Sequence, residues 1–406
     1  MKKVSLFLLI LSLAACDTEQ DAAPGMGDTF VKLIGNVNDD FARDIKSTAD
    51  GGYIILSENT VELAEEEITK IHLIKTDADG NVEWEQLYPD ETNDVTAEEE
   101  RINLAGKSLQ VLENGYMILG DSIYDEESTD LYLMRTDLQG NLLNSTTFSI
   151  DGSNLKAQVI EQTNSGTFII MSLIEENNEP ENMSLSEIDA NFNELWNQKY
   201  ILGEGATVTK SMMVDNSEIT WSGTAIINEE QNLRFITTPF DSKNSFFAPS
   251  VGANNNRNDR AIDIAKVPTG FIIVGTTNNT ALGDDDIYLV SVTPTGELLW
   301  QRTYGGTRDD SGESVMVTSS NEIVILGTTL SFGNGERELY LVKTDLFGNP
   351  LWTDSEISGR TFGGLNDDIG ARVIETNDDG LIILGTEDFG DVGTLIMVKT
   401  DSEGRL

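Results

Sequence analysis

Three short words in the sequence place two carboxylates side by side in the same setting. They are "IGNVNDD" (Ile34 to Asp40), "YGGTRDD" (Tyr304 to Asp310) and "FGGLNDD" (Phe362 to Asp368). Each ends in an Asp pair: Asp39 and Asp40, Asp309 and Asp310, Asp367 and Asp368. Carboxylates gathered from three such pairs would supply the hard oxygen ligands of a Ca²⁺ site. An Asp ahead of a strand also closes its own turn, by accepting nearby backbone N–H groups. Both readings stand at the level of sequence. Other chemistries lack parts. His72 is the sole histidine and Cys16 the sole cysteine. That leaves no Cys₂His₂ or His₃ zinc site and no Cys–His dyad, and little room for a Ser–His triad. His72 lies in "IHLIKT", where related segments carry Tyr132, Phe235, Tyr288 and Tyr340, so its position is one of aromatic packing. No GxxxxGK[ST] phosphate loop occurs. Glycoside hydrolysis needs only two carboxylates, about 5–9.5 Å apart, and 70 Asp and Glu residues leave that route open.

These groups need elements to hold them, and the sequence supplies a repeat. Aligned on "TDxxGNxLW", seven segments recur, from "KTDADGNVEW" at Lys75 to "KTDLFGNPLW" at Lys343 and "KTDSEGRL" at Lys399. The Asp position is held by Asp77, Asp137, Asp189, Phe240, Thr293, Asp345 and Asp401, at separations of 60, 52, 51, 53, 52 and 56 residues. A period near 50 built of strand-like segments indicates propeller blades. In the sixth copy, "ESVMVTS" (Glu313 to Ser319), "IVILGTT" (Ile323 to Thr329), "LYLVKT" (Leu339 to Thr344) and "PLWTD" read as four short strands of a meander. No segment sustains a 3.6-residue period. The expectation is an all-β, seven-bladed propeller of four-stranded blades. In each Asp-x-x-Gly-Asn turn the Asp bonds backbone N–H groups and the Gly supplies positive φ. Trp84, Trp196, Trp300 and Trp352, with Phe247 in the fourth copy, share one position and are expected to pack on the next blade. Leu406 aligns with Val82, where a fourth strand should begin. Phe30 lies ten residues before Asp40, as Trp300 lies ten before Asp310. A strand at about residues 29–34 is therefore expected to complete the last blade.

Residues 29–406 look like the short bacterial β-propeller repeats of secreted and surface proteins, through the words "DGGYIIL" (Asp50 to Leu56) and "YLVKTDLFGN" (Tyr340 to Asn349). This resemblance implies the fold more than an activity. A second likeness, to the tryptophan-docking repeat of quinoproteins, differs: the offsets from Asp345 to Gly348 and to Trp352 are each one residue shorter.

The N-terminus carries Lys2 and Lys3, then an apolar run from Val4 to Ala15. This is a secretory signal pattern, too short to span a membrane. "LAAC" (Leu13 to Cys16) resembles the bacterial lipobox, which implies cleavage before Cys16 and a lipid on its thiol. Residues 1–15 are then a lipoprotein signal peptide, and residues 16–28 a lipidated Cys with a flexible tether. With 26 Lys and Arg, the formal net charge is −44, which repels nucleic acid and anionic lipid heads. Membrane contact is expected through the lipid anchor only. Acidic residues after Cys16 resemble surface-export tags of Bacteroidetes lipoproteins; Asp17 directly after it resembles an inner-membrane retention signal elsewhere. A bacterial envelope protein of the outer membrane, displayed at the surface, is the expected location.

In a meander the loops alternate between the two ends of the propeller, so the tight turns share one end and the variable loops the other. The variable loops are acidic: "ENTVELAEEEIT" (Glu58 to Thr69), "DSIYDEESTD" (Asp121 to Asp130), "IEENNEPEN" (Ile174 to Asn182) and "GDDD" (Gly283 to Asp286). The connection from Pro89 to Asn103 is long and is a candidate partner-specific insertion. The leading functional expectation is a monomeric, non-catalytic propeller whose acidic loop face binds an envelope or extracellular protein or a glycan. The alternatives are a periplasm-facing scaffold for outer-membrane assembly, and a glycan hydrolase or lyase working through carboxylates. No cofactor is otherwise indicated, and Ca²⁺ is the one candidate the Asp pairs offer.

Overall fold

Short runs of β-branched and aromatic residues between Gly and Asp turns favour strands. The computed structural model describes residues 29–406 apart from 36–37, 64–65, 90–102, 126–127, 151, 177–181, 202–203, 216–217, 228–229, 240–257, 279–284, 335, 353–357 and 391. Among the described residues there are 27 strands and no helix.

The chain begins with β1 (Phe30–Ile34). Blade 1 follows as β2 (Asp39–Ser47), β3 (Tyr53–Leu63), β4 (Glu66–Thr76) and β5 (Val82–Tyr88). Blade 2 is β6 (Asn103–Leu112), β7 (Gly115–Asp125), β8 (Ser128–Thr136) and β9 (Leu142–Phe148). Blade 3 is β10 (Ser153–Gln162), β11 (Phe168–Glu176), β12 (Asn182–Ile188) and β13 (Glu194–Tyr200). Blade 4 holds β14 (Ala206–Val214), β15 (Glu218–Ile227) and β16 (Glu230–Pro239). Blade 5 is β17 (Asp259–Val267), β18 (Gly270–Thr277), β19 (Asp286–Val292) and β20 (Leu298–Tyr304). Blade 6 is β21 (Asp310–Val317), β22 (Ile323–Thr329), β23 (Glu338–Thr344) and β24 (Arg360–Phe362). Blade 7 is β25 (Asp367–Glu375), β26 (Leu381–Asp388) and β27 (Gly393–Thr400), with β1 as its fourth strand.

Each blade is an antiparallel meander. The first strands β2, β6, β10, β14, β17, β21 and β25 adjoin one another in cyclic order and form the inner wall. The molecule is the expected seven-bladed β-propeller. The expected fourth strand of blade 4, with Phe247, falls outside the described residues. Middle strands such as β18, β19, β22 and β23 are buried at every residue, because neighbouring blades cover both of their faces. The expected strand "PLWTD" of blade 6 is not continuous. Thr344 and Pro350 form an isolated bridge, and β24 completes the sheet against β23. The spacing of 56 residues from Asp345 to Asp401, against 52 for the preceding copy, leaves room for this detour.

β1 pairs with β27 from Phe30 opposite Lys399 to Ile34 opposite Leu395. The ring therefore closes with one blade made from two distant parts of the chain, and β1 covers the edge of β27. Phe30 takes the place that tryptophan holds elsewhere. It lies over Gly80 of blade 1, as Trp84 lies over Gly140, Trp300 over Gly348 and Trp352 over Gly404. A Cβ on any of these four glycines would sit 2.7–2.8 Å from the ring above it. Their φ values of 74°, 78°, 75° and 67° also require left-handed backbone. The outer aromatic of one blade thus presses on the turn glycine of the next.

Blade 2 breaks the rule and compensates. Its tryptophan position is the exposed Asn144, and the facing turn of blade 3 carries Phe192 at φ 67° instead of glycine. Phe192 is buried in the apolar cluster shared by blades 2 and 3. The aromatic has moved from the strand to the turn. Phe192→Gly is expected to destabilise the fold by roughly 3 kcal/mol, as large-to-small changes in a core do. Adding Asn144→Trp should restore part of that loss, read as a non-additive double-mutant cycle by urea denaturation. Removal of residues 29–34 should open the ring and lower the melting temperature sharply, and an unchanged melting curve would contradict the closure.

Candidate functional site

The inner wall is made of bulged strands. In β2 the ladder steps from Ala42 opposite Ser57 to Asp44 opposite Leu56, leaving Arg43 as the extra residue. The same step isolates Lys107 in β6, Gln158 in β10, Ile262 in β17, Glu313 in β21 and Ala371 in β25. In β14 the irregularity spans Val208 to Met212 and includes Lys210. A bulge re-aims a side chain and leaves backbone groups unpaired. The preceding blade takes up the freed N–H groups. Ala42 donates to Thr386 Oγ1 at 2.9 Å, Ala157 to Asp121 Oδ1 at 2.6 Å, Ala261 to Thr224 Oγ1 at 3.0 Å and Gly370 to Thr328 Oγ1 at 3.0 Å. A second seam runs just below. Asp44 accepts from Leu109 N, Ser108 from Ile160 N, Asp263 from Val315 N and Ser314 from Val373 N.

The bulge residues line an axial cavity of about 460 Å³, open toward solvent. Arg43, Lys107, Lys156 and Lys210 come from four consecutive blades. Glu313 stands on the far side. Arg372, from blade 7, crosses the axis. Its guanidinium donates to Asp44 Oδ1 at 3.3 Å in blade 1, Ser211 Oγ at 3.1 Å in blade 4 and Asp263 Oδ2 at 3.0 Å in blade 5. Burial works against that charge, but Asp263, Asp44 and Glu161 hold the proton still more firmly than usual. Glu58 bonds both Arg43 and Lys107. Burial opposes its charge too, yet Lys107 and Arg43 keep its carboxyl below the usual range. Burial pushes Asp121 up to about 6, against the pull of Lys107.

The Asp pairs lie at three separate blade junctions. The first Asp of each pair bonds the preceding blade: Asp39 accepts from Gly393 N at 2.6 Å, Asp309 from Asp285 N at 3.3 Å, and Asp367 from Arg337 N at 2.9 Å. The second Asp is buried and faces its own second strand. Asp310 accepts from Thr329 Oγ1, from Ser331 Oγ at 2.7 Å and from Gly306 N at 2.8 Å. Asp40 accepts from Ser57 Oγ at 3.3 Å and lies 2.8 Å from His72 Nδ1. His72 is 1% exposed, so its packing position is confirmed, and it also partners Asp40. Asp368 accepts from Gly364 N at 2.9 Å, and its Oδ1 is buried without a hydrogen-bond partner. Among the described residues no three His, Cys, Asp or Glu side chains form a group able to hold a metal ion.

The register explains why Asp368 differs. Opposite Asp310 stands Thr329, opposite Asp259 stands Thr277, and opposite Asp40 stands Asn59. Opposite Asp368 stands Glu387. A donor has been replaced by a second acid, and like charges facing across strands destabilise the pair. Burial first, then Glu387, Glu338 and Asp367, push Asp368 up to about 7.

Two of the acidic segments expected to be loops are strand over their described residues, 64–65 and 126–127 lying outside these. "ENTVELAEEEIT" continues β3 and β4, whose ladder runs out to Leu63 opposite Glu66. "DSIYDEESTD" continues β7 and β8 to Asp125 opposite Ser128. β-branched and aromatic residues among the acids (Val61, Ile68, Ile123, Tyr124) sustain the pairing. β3 and β4 have 11 residues each, against 7 in β22 and β23. At about 3.4 Å per residue the hairpin extends on the order of 13 Å farther. Tyr124 is exposed on the neighbouring one. Cys16, most of the Pro89 to Asn103 connection, and the central parts of "IEENNEPEN" and "GDDD" lie outside the described residues. No described helix is long and apolar enough to cross a membrane.

No protein-family profile matches the chain, and no curated protein matches it. Solved structures do. The β-propeller domain of the Trilobed protease from Pyrococcus furiosus aligns at a TM-score of 0.51 and 10% identity, over 90% of this chain and 95% of that one. The extracellular domain of a proposed one-component system from B. thetaiotaomicron aligns at 0.51 and 10% identity, over 91% of this chain and 39% of that one. The GH93 α-L-arabinofuranosidase of Fusarium graminearum, solved with arabinobiose, aligns at 0.47 and 13% identity, over 92% and 98%. At such identities the likeness shows the fold alone.

The raised carboxyl of Asp368 has a defined sign. A folded-state value above the unfolded one gives stability that is complete below about pH 4 and is lost as pH rises through about 7. Glu387→Thr supplies the hydroxyl found opposite Asp310 and Asp259. It is expected to raise the melting temperature at about pH 8 by several degrees and to flatten the decline between about pH 5 and 8. Scanning calorimetry of both proteins across that range checks it.

Proposed function

We propose that this chain is a lipid-anchored, non-catalytic binding propeller of the bacterial envelope, which captures a partner with a cationic surface on its acidic hairpin face. The observation that carries this reading is the pair of extended hairpins on adjacent blades, β3–β4 and β7–β8, with Glu62, Glu66, Glu67 and Asp125 in their outer reaches. A strand fixes the spacing of the backbone positions it carries, where a loop lets them move. The buried titratable groups also support a binding role. Glu58, Asp44, Asp263 and His72 are committed to bonds between strands and blades. The anchor rests on the "LAAC" word alone. The unpartnered oxygens of Asp40 and Asp368 are where Ca²⁺ would bind if the envelope supplies it; a calorimetric titration tests that part.

Charge reversal of Glu62, Glu66 and Glu67 to Lys is expected to abolish capture of the partner from envelope extract while leaving the melting curve within a few degrees. Capture by the unaltered chain should weaken steeply with salt, because exposed charges are screened within about 10 Å at 0.1 M. Cys16→Ser should release the protein from the membrane fraction. Capture that survives both charge reversal and high salt would count against the hairpin face.

A further inference from the structure

The axial cavity concentrates what the rest of the molecule lacks. The chain has 26 Lys and Arg against 70 Asp and Glu. Of the fifteen residues around the cavity, five are cations and three are acids. Arg43 and Lys107 share the single carboxylate of Glu58. The next acid, Asp121, lies 3.8 Å from Lys107 and is pushed toward its neutral form. Lys210 reaches Glu313 at 3.1 Å, but both side chains meet solvent, and exposed ion pairs of this kind are weak and displaceable. Arg372 is tied down by Asp44 and Asp263, whose carboxylates already meet its charge, so it forms a fixed polar floor.

The wall has a second character. Gln158, Glu313 and Asp121 offer acceptors, and Gln158 also donates. Phe41 is 37% exposed on the same wall, with the Arg43 guanidinium 4.4 Å from its ring centre. A compact dianion such as phosphate would meet three acids as well as the lysines. A ligand with one negative charge and several hydroxyls would use both signs. The volume of about 460 Å³ falls in the usual range for small-ligand sites, about 300–1,000 Å³.

We propose that the axial cavity binds a polyhydroxylated monocarboxylate of one to two sugar units, a uronic acid, with its carboxylate held by Lys107, Lys156 and Lys210 and its hydroxyls facing Glu313 and Gln158. The inference does not rest on the reading of the hairpin face, since it uses none of the outer hairpin residues. A charged partner in a charge-assisted bond adds specificity that a neutral sugar cannot draw on.

Isothermal titration of the full chain in detergent, with galacturonate, glucuronate, galactose and inorganic phosphate as separate probes, tests it. At least one uronate should bind, with galactose and phosphate each weaker by ten-fold or more. Lys156→Gln and Lys210→Gln should each weaken the uronate by about ten-fold, equal to about 1.4 kcal/mol, with melting curves unchanged. Absence of uronate binding, equal binding of galactose, or phosphate binding as tight as uronate would each overturn the proposal. Variants that fold but bind as the parent does would overturn the assignment of the lysines. Should a variant fail to fold, the comparison of probes on the unaltered chain decides the matter.

Discussion

A backbone N–H that no strand of its own blade can satisfy sits at the centre of this structure. Each inner strand carries a bulge, and a bulge leaves donors without ladder partners. A buried donor left unpaired costs about 1–3 kcal/mol, while a satisfied one contributes about 1 kcal/mol. The cure lies in the preceding blade: Thr386, Thr224, Thr328 and Asp121 each accept the N–H of the next inner strand. No blade is therefore complete alone. The dependence passes around the ring, and blade 7 can serve blade 1 only if β1 holds it in register against β27. The outer contact repeats the logic on the rim, where an aromatic ring presses on the neighbour's turn glycine.

The bulge also creates the cavity's chemistry. An inner-strand residue normally packs on a neighbour, but the extra residue is turned toward the axis, where packing does not constrain its type. Arg43, Lys107, Gln158, Lys210, Ile262, Glu313 and Ala371 stand at the bulges and range from cation to amide, acid and aliphatic side chain. The residue after the bulge is under the opposite pressure. It serves the inter-blade seam and is Asp or Ser in Asp44, Ser108, Ser211, Asp263 and Ser314. Val159 and Arg372 are the exceptions at that level, and the Arg372 guanidinium spans the axis to three other blades.

This contrast explains what the sequence could reveal. The blade count, the meander, the turn chemistry and the closing strand were legible, because each depends on a residue type that recurs: Asp77 and Asp345 at the turn, Gly80 and Gly348 beneath the ring, Trp84 and Trp300 above it. Phe30 was recognisable by its distance from Asp40. The cavity was hidden for the converse reason, since a position free of packing leaves no self-similarity to align. One signal existed. Arg43, Ile262, Glu313 and Ala371 each stand three residues after Asp40, Asp259, Asp310 and Asp368. The extended hairpins escaped notice because Glu is disfavoured in strands and outweighed Val61 and Ile68 in the reading of "ENTVELAEEEIT".

The Asp pairs show how one backbone role permits divergent side-chain settings. Asp40, Asp310 and Asp368 all open an inner strand, and Asp310 and Asp368 accept the N–H of the residue four before them. Their remaining partners differ: an imidazole and a hydroxyl for Asp40, two hydroxyls for Asp310, and an acid opposite Asp368. His72 stands where other blades place an aromatic ring, and this makes sense once Asp40 needs a buried partner that fits an aromatic's space. Junction 7 instead accepts a carboxyl that prefers its proton near neutrality. The pairs are therefore first of all clasps between blades, carried by Asp39, Asp309 and Asp367. Any ion they take up must compete with bonds that already hold the ring, and the least bonded of the second carboxylates is Asp368.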